Sequence, residues 1–146
     1  DARIEYVPEH IRRAAFEELG VGRNGAAEAI YQFNVGLIDA LCDIVPAVKP
    51  QSAYYENLGW SSPEPGLEVL TRTKTHLSSS LAASRKGLME SEPMYPLRVT
   101  GAVVNSSRGI MCAWQKTGGD GHDFAQAARN AALAMRDDIR QFVTVV

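Results

Sequence analysis

The stretch Ile44-Val45-Pro46-Ala47-Val48-Lys49 is a short apolar run that ends in a lysine. Runs of this kind are typical of strands buried in a parallel sheet, although Pro46 has no N–H to donate to a neighbouring strand. Parallel α/β folds bind ligands at the carboxyl ends of their strands. Lys49 is therefore a candidate contact for an anionic substrate, and the alternative is a solvated lysine at the end of a strand.

A second apolar run, residues 101–105, leads into a polar turn. The sequence there reads Gly101-Ala102-Val103-Val104-Asn105-Ser106-Ser107-Arg108-Gly109. Small residues and glycine let backbone N–H groups approach a phosphate, and an arginine can bind a phosphate through two hydrogen bonds. Ser107, Arg108 and Gly109 are therefore candidate phosphate contacts. The alternative is an ordinary polar turn.

Apolar residues repeat with the period of a helix around these two runs. Pro8 and Gly20 bracket a first helix, as a first-turn proline and a stop signal do. Asn24 is a candidate cap for a second helix that extends to Leu41. The last helix carries one apolar stripe, which consists of Phe124, Ala128, Ala131, Met135, Ile139 and Phe142. Arg129 lies off this stripe, which predicts a solvated side chain.

Two weaker helical patterns lie between the apolar runs. Ser52 is a candidate cap for a short helix that Gly59 would end. A further helix is predicted from Leu67 onward, although the serines at 78–80 dilute its pattern. The resulting order of helix, strand, helix, linker, strand and helix indicates an α/β fold.

Composition narrows the classes of protein that the chain can represent. The 146 residues are 45% apolar and 22% charged, with a net charge of −2. These values are typical of one folded domain and exclude a strongly basic nucleic-acid-binding protein. No run of about 18 apolar residues is present, so we expect no membrane span. The two cysteines and three histidines lack the spacing of metal ligands, which predicts no metal site.

The two stretches that carry Lys49 and Arg108 resemble orotidine 5′-phosphate decarboxylase, in the longer-chain subgroup found in many bacteria. The resemblance extends over residues 1–60 and 101–146, and residues 33–60 and 101–111 are its most specific parts. It implies a (β/α)₈ barrel in which residues 44–48 are the second strand and residues 101–105 the eighth. A complete barrel needs about 250 residues. We therefore expect an incomplete α/β barrel that retains the regions of strands one, two and eight.

The resemblance also implies an activity and a set of site residues. The family converts orotidine monophosphate to UMP and carbon dioxide in pyrimidine biosynthesis, as a cytoplasmic carboxy-lyase without metal or cofactor, and its barrels pair as homodimers. Lys49 and Asp1 match members of an alternating Asp–Lys–Asp–Lys array, although Ala2 stands where the family has proline. Arg108 matches the arginine that holds the substrate phosphate, with Ser107 and Gly109 beside it.

The chain departs from the family in its middle. The resemblance divides it into an N-terminal barrel segment (1–60), an atypical joining segment (61–99) and a C-terminal barrel segment (100–146). The family's Asp-x-Lys-x-x-Asp motif is absent, and Lys86 has Ser84 and Met89 in the two aspartate positions. Because the array needs all its charges, we expect little turnover. The alternatives are a non-catalytic phosphate- or nucleotide-binding fragment and a self-associating interaction module.

Overall fold

The computed structural model describes residues 3–45, 48–59, 65–89 and 104–142. Within these ranges the chain forms α-helices and two short 3₁₀-helices, Ile4–Tyr6 and Ala113–Lys116. The α-helices are α1 (Glu9–Leu19), α2 (Arg23–Leu41), α3 (Ser52–Glu56), α4 (Pro65–Met89), α5 (Arg108–Met111) and α6 (Phe124–Arg140). None of these described helices combines the length and the apolar character that a membrane crossing requires.

The prediction of an α/β barrel fragment is wrong, because the described residues form no β-strand. The N–H groups of Ile44 and Val45 donate to the carbonyl of Leu41, at 2.9 and 3.0 Å. They therefore extend the end of α2 as a turn and cannot pair with a strand. Val48 and Val104 are 40% and 56% exposed, unlike residues of a buried strand. Residues 46, 47 and 101–103 of the predicted strands lie outside the described ranges.

The helical predictions are confirmed, with changes at the ends of the helices. α1 ends before Gly20, whose φ of 82° lies in the left-handed region that favours glycine. α2 begins after Gly22, so Asn24 lies inside the helix and does not cap it. α3 begins at Ser52, with Gln51 at the N-cap position. Gly59, with a φ of 103°, follows the end of α3 as predicted.

Helix α4 continues through the serines at 78–80, although these residues interrupt the apolar pattern of the sequence. The hydroxyls of Ser78 and Ser79 donate to the carbonyls of Lys74 and Thr75, at 3.0 and 3.2 Å. A serine hydroxyl that donates to the carbonyl four residues earlier is satisfied within the helix and does not require a turn. The run therefore stays helical, and α4 occupies much of the predicted joining segment.

Helix α2 lies at the centre of the molecule, with α1, α4 and α6 packed around it. Its apolar side chains face more than one neighbour, and Ile30 and Phe33 are each only 2% exposed. The ring of Phe33 packs on that of Phe124 at a centroid distance of 5.0 Å, which joins α2 to α6. This helical core holds in place the segment after α2 and the turn before α5, which carry the predicted site residues.

Candidate functional site

A cavity of about 270 Å³ lies beside α2, between the segment that follows α2 and the turn before α5. Its apolar walls are formed by Leu37, Ile38, Leu41, Val45, Val48 and Ile110. Its polar lining consists of Asn34, Lys49, Gln51, Tyr55, Thr73, Asn105, Ser106 and Ser107. A concave site in which apolar walls meet convergent polar groups is the usual form of a small-molecule site, so this cavity is the candidate site.

The structure brings two predicted site residues, Lys49 and Ser107, to this one cavity. They are far apart in the sequence and belong to the two stretches that carry the family resemblance. Lys49 is exposed, and its Nζ donates to Oε1 of Gln51 at 2.9 Å. Among the described residues that line the cavity, Lys49 is the one charged side chain. The cavity therefore has a positive charge at a solvent-accessible edge.

Arg108 and Gly109 lie next to the cavity but do not line it. Both are exposed at the start of α5, immediately after Ser107. Gly109 approaches its own turn closely, since a Cβ atom there would lie 2.7 Å from Oγ of Ser106. A larger residue at this position would require the Ser106 hydroxyl to rotate away. Asp1, the remaining predicted site residue, lies outside the described ranges.

Three polar side chains at the cavity, which we call the polar triplet, join helices α2, α3 and α4. Nδ2 of Asn34 donates to the hydroxyl of Tyr55 at 3.0 Å and to Oγ1 of Thr73 at 3.2 Å. Tyr55 and Thr73 are each 3% exposed. Burial raises the pKa of Tyr55, and the hydrogen bond from Asn34 opposes that shift in part. The phenol is therefore neutral at physiological pH and can donate its proton in a hydrogen bond.

Sequence reasoning did not single out the polar triplet. A signal was present, because Asn34 follows Phe33 among the apolar residues that face the core in α2. A polar side chain at such a position needs a hydrogen-bond partner. Tyr55 and Thr73 carry no such signal. Their burial depends on how α3 and α4 pack against α2, which the spacing of residues along the chain does not reveal.

A second cluster, on the surface between α2 and α4, combines a serine, a histidine and an aspartate. Nε2 of His76 lies 2.7 Å from Oδ1 of Asp39 and 3.4 Å from Oγ of Ser80. In a catalytic triad the acid and the serine contact opposite nitrogens of the ring. Here both contact the same nitrogen, so the imidazole cannot hold the aspartate and also take a proton from the serine. The cluster is a link between helices rather than an activated nucleophile.

Cysteine and metal chemistry receive little support from the described part of the chain. Cys112 is buried, and this burial raises the pKa of its thiol, so the thiol is protonated and poorly reactive. Cys42 is half-buried, and both cysteines are free thiols. The described residues contain no group of three or more potential metal ligands among His, Cys, Asp and Glu.

Known proteins with similar sequences match only part of the chain. An orotidine 5′-phosphate decarboxylase from Rhodopirellula baltica is 39% identical over 59 residues, which cover 40% of this chain and 18% of that protein. The corresponding protein from Clostridium tetani is 44% identical over 57 residues, which cover 39% of this chain and 19% of that protein. No protein-family profile and no solved structure matches. The chain is thus similar to curated decarboxylases over about two fifths of its length and spans less than a fifth of theirs.

Proposed function

We propose that this chain binds a pyrimidine nucleoside 5′-monophosphate in the cavity beside α2. The observation that carries the proposal is that Lys49 and Ser107, from two separate stretches of sequence, line the same cavity. The partial similarity to orotidine 5′-phosphate decarboxylases supports this class of ligand, since the substrate named by those relatives is a phosphorylated pyrimidine nucleoside.

In this proposal the phosphate stays at the mouth of the cavity and the base enters it. The volume of about 270 Å³ is close to the lower end of the range of roughly 300–1,000 Å³ for small-molecule sites. The apolar walls suit a base and a ribose, whereas a dianionic phosphate needs donors and positive charge. Lys49 and Ser107 supply these at the edge, and the exposed Arg108 next to Ser107 is the second proposed cation. In the same turn, Gly109 has no side chain to keep a phosphate away from the backbone N–H groups.

We propose further that the chain by itself binds this ligand without decarboxylating it. No aspartate or glutamate is found among the described residues that line the cavity. The chemistry that the family resemblance implies depends on carboxylates alternating with lysines beside the scissile carboxylate. A single lysine attracts the substrate but lacks the paired charges that distinguish the transition state from the ground state. The proposal also places the protein in the cytoplasm and requires no metal or cofactor. That the chain forms a homodimer stays a prediction, which light scattering tests.

Isothermal titration with UMP, paired with an assay of orotidine monophosphate decarboxylation, tests the proposal. We expect saturable heat with UMP, a weaker signal with Lys49→Ala, and no change in the absorbance of orotidine monophosphate. Absence of heat at millimolar UMP would contradict the proposed binding. Turnover that disappears in Lys49→Ala would instead show that the chain is a complete catalyst, against the second part of the proposal.

A further inference from the structure

Lys49, the one charged side chain in the described lining of the cavity, is held by a neutral partner. Its Nζ donates to Oε1 of Gln51 at 2.9 Å, and Gln51 also lines the cavity. Among the described residues Lys49 forms no ion pair with a carboxylate. An ammonium group has three N–H donors, so two stay available to a ligand. The contact with Gln51 therefore orients the ammonium group and leaves its positive charge uncompensated.

The orientation of the Gln51 amide follows from this contact. An ammonium group can only donate hydrogen bonds, and the Nε2 group of an amide likewise only donates. A rotation that exchanged Oε1 and Nε2 would therefore place two donors against each other. Oε1 of Gln51 consequently faces Lys49 and acts as the acceptor for that side chain.

Gln51 is the more firmly held member of this pair, because its backbone belongs to the start of α3. It occupies the N-cap position, and its carbonyl accepts a hydrogen bond from the N–H of Tyr54 at 3.2 Å. Tyr55, on the same helix, is 3% exposed and bonded to Asn34 of α2. Gln51 is half-buried, whereas Lys49 is exposed. The helical core thus positions Gln51, and Gln51 in turn limits the positions that the lysine side chain adopts.

This arrangement prepares Lys49 for an anionic ligand in two ways. A lysine paired with a carboxylate has its charge compensated, whereas a lysine paired with an amide keeps a full positive charge for the ligand. Ordering a flexible side chain before the ligand arrives also reduces the entropy that binding costs. We infer that Gln51 is a positioning residue, which holds the Lys49 ammonium group at the edge of the cavity with its charge uncompensated. The inference rests on the proposed function.

Titrations with UMP and uridine test the inference, and the readout is the ratio of the uridine to the UMP dissociation constant. Gln51→Met removes the acceptor and keeps the length of the side chain. We expect the ratio to fall by about two- to fivefold, since the lysine is then ordered only when the ligand binds. In a Lys49→Ala background the same substitution should leave the ratio unchanged, because Gln51 acts through the lysine. A ratio that Gln51→Met leaves at the wild-type value, or lowers equally in both backgrounds, would overturn the inference and leave the proposed function standing.

A second variant separates the charge of the pair from its geometry. Gln51→Glu keeps an acceptor for Lys49 but compensates its charge. We therefore expect the ratio to fall at least as far as in Lys49→Ala, and UMP binding to depend less on ionic strength than in the wild type. The matched control is Gln126→Glu, which adds the same charge on the exposed side of α6, where Gln126 donates to Asn130 at 2.8 Å.

Circular dichroism checks that each variant is folded. A folded Gln51→Glu variant with the ratio and the salt dependence of the wild type would overturn the inference alone. Absence of UMP binding by the wild type would overturn the inference together with the proposed function.

Discussion

Arg129 and Asp43 form two parallel hydrogen bonds that join α6 to the turn after α2. Nη1 lies 2.6 Å from Oδ1 and Nη2 lies 2.7 Å from Oδ2. Nη1 also donates to the carbonyl of Ala40, at 2.7 Å, near the end of α2. The prediction that Arg129 is solvated is therefore wrong: the side chain is off the apolar stripe, but it fixes the segment that leads to Lys49.

The first prediction concerns the stability that this ion pair provides. Asp43→Asn removes the charge, and we expect the midpoint of thermal unfolding to fall by about 2–4 °C, a small effect because both side chains are partly exposed. The control is Asp137→Asn, whose carboxylate contacts only the adjacent Arg136 among the described side chains. We expect the control to unfold within about 1 °C of the wild type.

The ion pair of Arg129 and Asp43 also predicts that the free energy of unfolding depends on pH. The hydrogen bonds from Arg129 lower the pKa of Asp43 below its ordinary value of 3.8, although burial opposes the shift. The stabilisation is therefore complete above pH 3.8 and is lost as the pH falls through the lowered pKa. Urea denaturation at pH 6 and pH 3 measures the difference in the free energy of unfolding between the wild type and Asp43→Asn. We expect this difference to be smaller at pH 3. A larger difference at pH 3 than at pH 6 would contradict a stabilising ion pair between Asp43 and Arg129.

The helices could be predicted from sequence because their signals are local. Pro8 and Gly20 mark the two ends of α1 in the structure. In α6, Phe124 and Ala128 of the predicted stripe are buried and Met135 packs against the core, whereas Ala132 is buried in place of Ala131. Phe142, at the end of the same stripe, is 82% exposed because α6 stops at Arg140. A periodic pattern gives the type of element and the buried face more reliably than it gives the last turn.

The strands could not be predicted correctly because a short apolar run has no period of its own. Ile44 and Val45 are apolar in a turn for the same reason that they would be apolar in a strand: both pack against the core. The N–H groups of Ile44 and Val45 instead donate to the carbonyl of Leu41 at the end of α2. The sequence predicts, for a barrel, that Lys49 and Arg108 face one anionic ligand. In the helical structure Lys49 and Ser107 line one cavity, and Arg108 follows Ser107 outside the lining.

The second prediction tests the close approach of α2 and α6. A Cβ atom at Gly36 would collide with the ring of Phe124, so Gly36→Ala forces the helices apart. We expect a loss of about 1–2 kcal/mol in the free energy of unfolding, because overpacking outweighs the higher helix propensity of alanine. Gly119→Ala is the control, since its Cβ would meet only ordinary contacts at 3.7 Å and beyond. Urea titrations that rank the two variants in the opposite order would be inconsistent with this packing.

The third prediction concerns a stacked pair of histidines that joins α1 to the loop before α6. The rings of His10 and His122 lie 3.9 Å apart and 15° from parallel. Burial and the charge of His122, with a smaller contribution from Arg13, lower the pKa of His10 below 6.5, and Asp120 opposes the shift. Because the folded state disfavours protonation, this contribution to stability is complete above pH 6.5 and is lost as the pH falls through the lowered pKa.

Denaturation at pH 7.5 and pH 5.5 measures this effect. We expect the wild type to lose stability over this interval and His10→Phe, which keeps a ring in the stack but cannot be protonated, to lose less. His76→Gln removes a histidine from the distant contact with Asp39 and should leave the effect of the stacked pair in place. If His10→Phe loses as much stability between pH 7.5 and pH 5.5 as the wild type does, the stacked pair does not titrate in this range.

The fourth prediction separates the phosphate contacts from those to the rest of the nucleotide. Lys49→Ala and Arg108→Ala should each weaken UMP binding by about three- to tenfold, the effect of an exposed charged contact, and should leave uridine binding unchanged. Lys116→Ala is the matched control, because Lys116 is an exposed lysine that does not line the cavity. Raising the ionic strength should weaken UMP binding more in the wild type than in Lys49→Ala, since screening acts on the charges that the variant lacks. Calorimetry in which Arg108→Ala binds UMP as tightly as the wild type, while Lys49→Ala does not, would place the phosphate against Lys49 alone and remove Arg108 from the site.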